Sequence, residues 1–188
     1  LYMGRMIKRK GISVAVEATR QAGKRLILCG QGVRKIDGTK IYTSDEVFDS
    51  QHIEYVGYAD THRRNELMGN AVAIIAPTMY LEPFGGVATE AQLCGTPAIT
   101  TDWGAFPETV IHGMSGYRCR TLEQFVWALD AVKSLNRSEI AQRARHLYSL
   151  QTVGKMYDEY FSMLYTLWGK GWYESKPRTQ LDWLNRYE

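Results

Sequence analysis

At 188 residues, 45% hydrophobic and 23% charged, the chain is long enough for one sizeable core and too apolar to be intrinsically disordered. Its net charge of +3 and isoelectric point near 8.7 fall short of the basic stripe expected of a nucleic-acid binder and suit a small anionic ligand. No stretch approaches the roughly 20 apolar residues of a membrane span, and none reads as a signal peptide.

Short apolar runs alternate with amphipathic ones along the chain. The pattern predicts strands over Leu1–Met6, Arg25–Cys29, Ile53–Val56, Ala71–Ala76, Ala98–Thr101 and, more weakly, Gly116–Cys119. Helices are predicted between and after them, over Ile12–Ala22, Thr61–Met68, Val87–Cys94, Leu122–Leu135, Arg137–Leu150 and Thr152–Leu167. Strands in alternation with helices argue for an α/β fold with a parallel sheet covered on both faces. The unbroken apolar runs Leu26-Ile27-Leu28 and Val72-Ala73-Ile74-Ile75 are what doubly covered strands need. Asp60 is placed to cap the second helix, and Gly95-Thr96-Pro97 to stop the third with a left-handed glycine. The polar, turn-rich stretch Gly32–Gln51 reads as an irregular excursion or a hairpin. From about Gly169 the pattern gives way to an aromatic and basic tail. We therefore expect one domain over residues 1–168 and a tail over 169–188. The abrupt opening strand also suggests that an upstream partner domain is missing.

Cys29, Cys94 and Cys119 are odd in number and have apolar neighbours, which predicts buried free thiols in a reducing compartment. His52, His62, His112 and His146 are scattered without metal-ligand spacing, no Asp-x-Asp stands where a divalent metal would need it, and no Gly-x-Ser-x-Gly is present. Trp168, Trp172 and Trp183 are open to two readings, an aromatic edge facing a membrane or the packing of a terminal helix.

The run Glu82-Pro83-Phe84-Gly85-Gly86-Val87-Ala88-Thr89-Glu90 carries the most chemistry. It sets two carboxylates eight positions apart, on either side of a glycine pair where a helix should begin. Unpaired N–H groups at a helix start cradle an anion, glycines admit it closely, and carboxylates accept hydrogen bonds from sugar hydroxyls. Phosphates and sugars together describe a nucleotide sugar. At the end of the opening strand, Gly4-Arg5-Met6-Ile7-Lys8-Arg9-Lys10-Gly11 offers cations that could neutralise a diphosphate. Read alone, the same residues are those of a solvated basic loop. Gly30-Gln31-Gly32 follows the second strand but lacks the third glycine of a dinucleotide fingerprint, and as readily just turns the chain.

Taken together, these residues resemble the retaining glycosyltransferases of family 4, and within them the C-terminal, donor-binding half of the GT-B fold. The resemblance rests on Gly4-Arg5 with Lys10-Gly11, on Gly57-Tyr58, and on Pro77 through Glu90. It continues through Glu90-Ala91-Gln92-Leu93-Cys94-Gly95-Thr96-Pro97, Thr101-Asp102, Gly104, Pro107-Glu108 and Gly113. It implies a Rossmann-like parallel sheet of about six strands, one half of a GT-B enzyme. It further implies that Arg5 and Lys10 hold the donor diphosphate, that Glu90 grips the ribose, and that Glu82 stands beside the transferred sugar. The backbone of Phe84, Gly85, Gly86 and Val87 would donate to sugar and phosphate, and the backbone near Tyr58 would read the base. No metal or other cofactor is expected, since cations and a helix start can stabilise the leaving group. The expected partners are a nucleoside diphosphate sugar and the N-terminal acceptor domain, with no nucleic acid. The expected location is the cytoplasm, with contact at the inner face of a membrane where the acceptor is a lipid. Two departures stand out: none of the N-terminal domain is present, and Trp103 occupies a turn where the family often has a smaller residue. Two other functions are open: a non-hydrolysing nucleotide-sugar epimerase, which shares the two-domain architecture but needs further acid/base residues and is argued against by the Glu82–Glu90 layout, and a non-catalytic sensor or scaffold domain, whose sequence would look the same.

Overall fold

The computed structural model of the chain describes residues 1–49 and 51–170, with side chains as far as residue 165. In chain order the elements are β1 (Tyr2–Met3), α1 (Ile12–Gln21), β2 (Leu26–Cys29), three short strands β3 (Lys35–Asp37), β4 (Lys40–Tyr42) and β5 (Val47–Asp49), and β6 (Ile53–Tyr55). They continue with α2 (Thr61–Asn70), β7 (Ile74–Ala76), α3 (Gly86–Leu93), β8 (Ala98–Thr101), α4 (Phe106–Thr109), β9 (Gly116–Cys119), α5 (Leu122–Ala131), α6 (Arg137–Tyr148) and α7 (Leu150–Lys170). The chain divides into a compact unit Leu1–Ala141 and a second from Gln142 onward. The sheet belongs to the first.

Six strands run parallel, as two ladders of three, in the orders β1-β2-β6 and β7-β8-β9. Leu1 joins them edge to edge: its amine donates to the Ala73 carbonyl at 3.0 Å, and its carbonyl accepts from the Ile75 N–H at 2.9 Å. The spatial order is thus β6-β2-β1-β7-β8-β9. From β1 the chain winds outward on one side and from β7 on the other. A crevice therefore opens at the carboxyl ends of β1 and β7, the switch point where ligands of such sheets bind.

Alternation along each strand sends side chains to opposite faces. Tyr2, Leu28, Ile75 and Ile99 pack with Ile12, Ala15 and Ala18 of α1 and Phe125 and Ala128 of α5. Met3, Cys29, Ile74, Ala76 and Ala98 pack with Leu67 and Met68 of α2, Ala88 and Ala91 of α3, and Phe106 of α4. The expected double covering is present.

Local boundaries follow side-chain chemistry. Asp60 Oδ1 accepts from the Arg63 N–H at 2.9 Å and caps α2, an interaction of about 1 kcal/mol. Gly95 is left-handed just past α3, as its position before Thr96-Pro97 predicts. Two strands are shorter than expected. Ala71 closes α2, its N–H donating to Leu67, so β7 begins only at Ile74. Beyond Met3 the chain leaves the ladder geometry, although Gly4 N–H still reaches the Cys29 carbonyl and Met6 N–H the Gln31 carbonyl. The Gly32–Gln51 excursion is an antiparallel sheet, β3-β4-β5, whose two small apolar anchors, Ile41 and Phe48, reach the first core. The short helix α4 escapes sequence reading because only four residues and a proline signal it.

Within the second unit, α7 stacks Tyr157 on Phe161, ring centroids 5.9 Å apart, and exposes Leu150 and Tyr165. No helix among the described residues is long and apolar enough to cross a membrane. The side chain of Trp168, and Trp172 and Trp183 entirely, lie outside the described residues.

The three cysteines are free thiols; Cys29 and Cys119 are 1% exposed, while Cys94 is half-buried. Burial pushes the Cys119 thiol up to about 12, with Asp102 adding to it, and burial likewise raises Cys29. Thiolates are the reactive species, so both should be inert in the folded chain. Titration with a disulfide reagent at pH 8 is expected to find no more than one thiol per native chain and all three in urea. Rapid native labelling of Cys119 would contradict the packing described.

Candidate functional site

Two loops meet in the crevice: Gly4–Gly11, leading from β1 to α1, and Pro77–Gly85, leading from β7 to α3. They are tied by the Met79 N–H, which donates to the Arg9 carbonyl at 2.9 Å. Gly11, at φ 72°, lies so close that a Cβ there would stand 1.8 Å from the Pro77 carbonyl oxygen. Between the loops is a cleft of about 190 Å³, lined among others by Gly4, Lys10, Arg64, Thr78, Glu82 and Gly86. A larger hollow of about 520 Å³ lies at the opposite end of the sheet, beside Leu1, Arg25 and Ala73, where the strands begin. Sheet topology favours the smaller one, because ligands of doubly wound sheets sit at strand carboxyl ends.

Lys10 and Glu82 face each other across the cleft, Lys10 Nζ donating to Glu82 Oε2 at 2.7 Å. Their side chains are only 24% and 12% exposed, so water screens the pair weakly. The Tyr80 hydroxyl donates to the same Oε2 at 2.6 Å, and the Lys10 ammonium lies 4.8 Å from the Tyr80 ring centroid. Burial works against the Lys10 charge, but the Glu82 hydrogen bond and Tyr80 outweigh it and hold the ammonium above its usual range.

The loop after β8 fixes Glu82 from behind. Ala105 N–H donates to the Glu82 carbonyl at 2.8 Å, and the Trp103 indole N–H to the Thr78 carbonyl at 3.1 Å. Trp103 therefore braces the β7–α3 loop. At the start of α3, Gly85 is left-handed and its Cα presses on the Phe106 ring, where a Cβ would come within 2.5 Å. No side-chain hydrogen bond caps this helix, so the first-turn N–H groups of Gly86 and Val87 beside the cleft are suited to an anion. Glu90, one turn on, is paired with Arg64 of α2, and Arg64 lines the cleft.

Of the residues expected from the sequence, the fold brings together Lys10, Glu82, Gly85, Gly86 and Val87, with Glu90 attached through Arg64. Phe84 flanks them, 52% exposed. Arg5 sits on the same loop, and its carbonyl accepts from the Tyr2 hydroxyl at 3.0 Å. Its side chain is exposed, outside the cleft lining, with no ion pair among the described residues. Tyr58 lies past β6 at the same end of the sheet, 70% exposed and likewise outside the lining; its neighbour Gly57 accepts from the Gly30 N–H at 2.9 Å. The Gly30-Gln31-Gly32 turn thus supports the Gly4–Met6 loop. Sequence reading missed Arg64 and Tyr80. Arg64 follows Arg63 on a polar helix and looks like surface charge, while Tyr80 shows no pattern that separates it from a loop aromatic. Among the described residues no group of three or more His, Cys, Asp or Glu side chains could hold a metal ion.

The profile of the family described as glycosyl transferases group 1 matches residues 1–147. The chain belongs to that family. Among curated members, the chain is 32% identical over 127 residues to a glycogen synthase of Mycobacterium tuberculosis, covering 63% of this chain and 29% of the relative. It is 30% identical over 149 residues to a D-inositol 3-phosphate glycosyltransferase of Mycobacterium bovis, covering 77% and 30%. Among solved structures, the sucrose-phosphate synthase of Thermosynechococcus elongatus matches with a TM-score of 0.71 at 21% identity, over 88% of this chain and 45% of that one. Anabaena HepE in complex with UDP-glucose matches with a TM-score of 0.67 at 18% identity, over 86% and 48%. The fold is that of GT-B glycosyltransferases. The chain spans less than a third of these curated relatives and about half of the solved chains.

Proposed function

We propose that the chain is the donor-binding half of a retaining glycosyltransferase of family 4, moving a sugar from a nucleoside diphosphate sugar to an acceptor hydroxyl without a metal ion. The observation that carries this reading is the Lys10–Glu82 pair facing the open start of α3 in the switch-point cleft. Cation, helix start and carboxylate are the three groups that a leaving diphosphate and a sugar need.

In this reading Lys10 and the first-turn amides of α3 take the diphosphate, and Arg5 reaches in from the rim of the same loop. Glu90 accepts from the ribose hydroxyls with Arg64 setting its orientation, and Glu82 accepts from a hydroxyl of the sugar. The backbone of Phe84–Val87 supplies further donors, and the backbone near Tyr58 contacts the base. As the anomeric C–O bond to the diphosphate breaks, negative charge grows where Lys10 and the helix start already stand, which lowers the barrier electrostatically. The acceptor hydroxyl adds on the face the diphosphate leaves, and its proton passes to the departing phosphate oxygen. Glu82 positions the sugar and stabilises positive charge at its anomeric carbon; it forms no bond to it. The acceptor lies on a second domain, so the isolated chain should bind donor weakly and transfer poorly. Three free thiols fit a cytoplasmic enzyme.

Calorimetry with UDP, GDP and ADP tests the reading. One diphosphate should bind in preference, and Arg5→Ala and Glu90→Ala should each weaken it by roughly ten-fold, the size of one charge-assisted contact. Absence of binding by all of them would favour a scaffold domain instead.

A further inference from the structure

Glu82 Oε2 accepts two short hydrogen bonds, from Lys10 Nζ at 2.7 Å and from the Tyr80 hydroxyl at 2.6 Å. The same Tyr80 ring carries the Lys10 ammonium at 4.8 Å from its centroid and the Arg9 guanidinium at 5.8 Å. One side chain therefore touches both the acid and the cation of the cleft. We infer that Tyr80 is a positioning residue that keeps Glu82 oriented toward the transferred sugar when the donor diphosphate draws Lys10 away. The inference rests on the donor-site reading above and adds the residue that couples its two halves.

The physical case is a count of donors. Lys10 cannot give its full charge both to a diphosphate and to Glu82, so arrival of the diphosphate weakens the bond to Oε2. A largely buried carboxylate that loses its partner turns toward another donor, because an unpaired buried charge is unfavourable. The Tyr80 hydroxyl remains on Oε2 and leaves Oε1, which has no hydrogen-bond partner among the described residues, for a sugar hydroxyl. The ring also steadies the ammonium through its π face while the ion pair loosens. Tyr80 is itself two residues from Glu82 in a loop braced by Trp103 and by Ala105, so its position does not depend on Lys10.

Tyr80→Phe separates the roles, since it removes the hydroxyl and keeps the ring; Tyr80→Leu removes both. Calorimetry would compare UDP, GDP and ADP with UDP-glucose, GDP-glucose and ADP-glucose. Tyr80→Phe should weaken the nucleotide sugar about ten-fold more than the matching diphosphate, and Tyr80→Leu should weaken both. Equal losses on sugar and diphosphate in Tyr80→Phe would overturn the inference. A second measurement needs no ligand: NMR titration of the Lys10 side chain, which faces Glu82 and Tyr80, shares its ring with Arg9, and offers its backbone carbonyl to the Tyr2 hydroxyl. Lys10 should titrate at lower pH in Tyr80→Phe than in the parent. If no diphosphate binds while this shift is seen, the contact between Tyr80 and the pair stands and the donor-site reading falls. If Lys10 titrates identically in both proteins, the role assigned to Tyr80 is wrong.

Discussion

Replacing Lys10 with alanine is expected to reduce diphosphate binding about 100-fold and to lower stability by about 2 kcal/mol. Both effects arise because Lys10 does two jobs. For the fold it neutralises the largely buried Glu82 carboxylate, which its loss leaves with the Tyr80 hydroxyl as donor. For an incoming diphosphate it is one of two cations lining the cleft beside the start of α3, the other being Arg64, which is paired with Glu90. Without it the ligand loses a charge-assisted contact and also meets the Glu82 carboxylate with only Tyr80 still bonded to it. Lys10→Arg should recover much of the loss. Lys8→Ala, an exposed cation two residues away, should change binding less than two-fold. Equal losses for Lys8→Ala and Lys10→Ala would mean that the basic loop acts as diffuse charge, with no site at Lys10. The pH dependence follows from the raised Lys10 value. The stability contributed by the pair is complete below the ordinary lysine value of 10.5 and is lost as pH rises through the higher folded value. The stability gap between parent and Lys10→Ala should therefore stay flat from pH 7 to about 10 and close only above that.

Gly11→Ala should be among the most damaging single-methyl changes, destabilising the chain by about 3–5 kcal/mol in urea unfolding. Two penalties combine. Gly11 is left-handed, at φ 72°, which by itself disfavours alanine by about 1 kcal/mol. A Cβ would also sit 1.8 Å from the Pro77 carbonyl oxygen and 2.7 Å from its carbon, both backbone atoms that cannot rotate away. Gly23→Ala isolates the first penalty: Gly23 has φ 62° and open space around its Cα, so only about 1 kcal/mol should be lost there. If the two variants unfold at the same urea concentration, the Gly4–Gly11 and Pro77–Gly85 loops do not pack as described. The contact also bears on the site, because it sets the spacing between Lys10 and the loop that carries Glu82. A folded Gly11→Ala chain should consequently bind diphosphate less well than Gly23→Ala.

Much of the architecture was legible in local chemistry. Apolar runs such as Leu26-Ile27-Leu28 can be satisfied only between two covering layers, and the helices between them carry their own stop signals at Gly95 and their own cap at Asp60. The site motif was legible for the same reason: Gly85-Gly86 at a helix start, with Glu82 and Glu90 on either side, is short-range information held within nine residues. Strand lengths were overestimated where backbone bonds favoured a neighbour, as at Ala71, whose N–H closes α2 rather than opening β7.

Local patterning was thus enough to read an α/β chain that resembles the glycosyltransferases, with paired acids around a helix start. Which charges meet is a property of the folded chain. Lys10 and Glu82 are 72 positions apart and Arg64 and Glu90 are 26 apart, and no periodicity links such pairs. They come together because β1 and β7 lie side by side at the centre of the sheet while the chain winds away from them in opposite directions. That order rests on backbone hydrogen bonds between Leu1 and the Ala73–Ile75 segment, bonds that every residue but proline can make and that therefore leave no mark in the sequence.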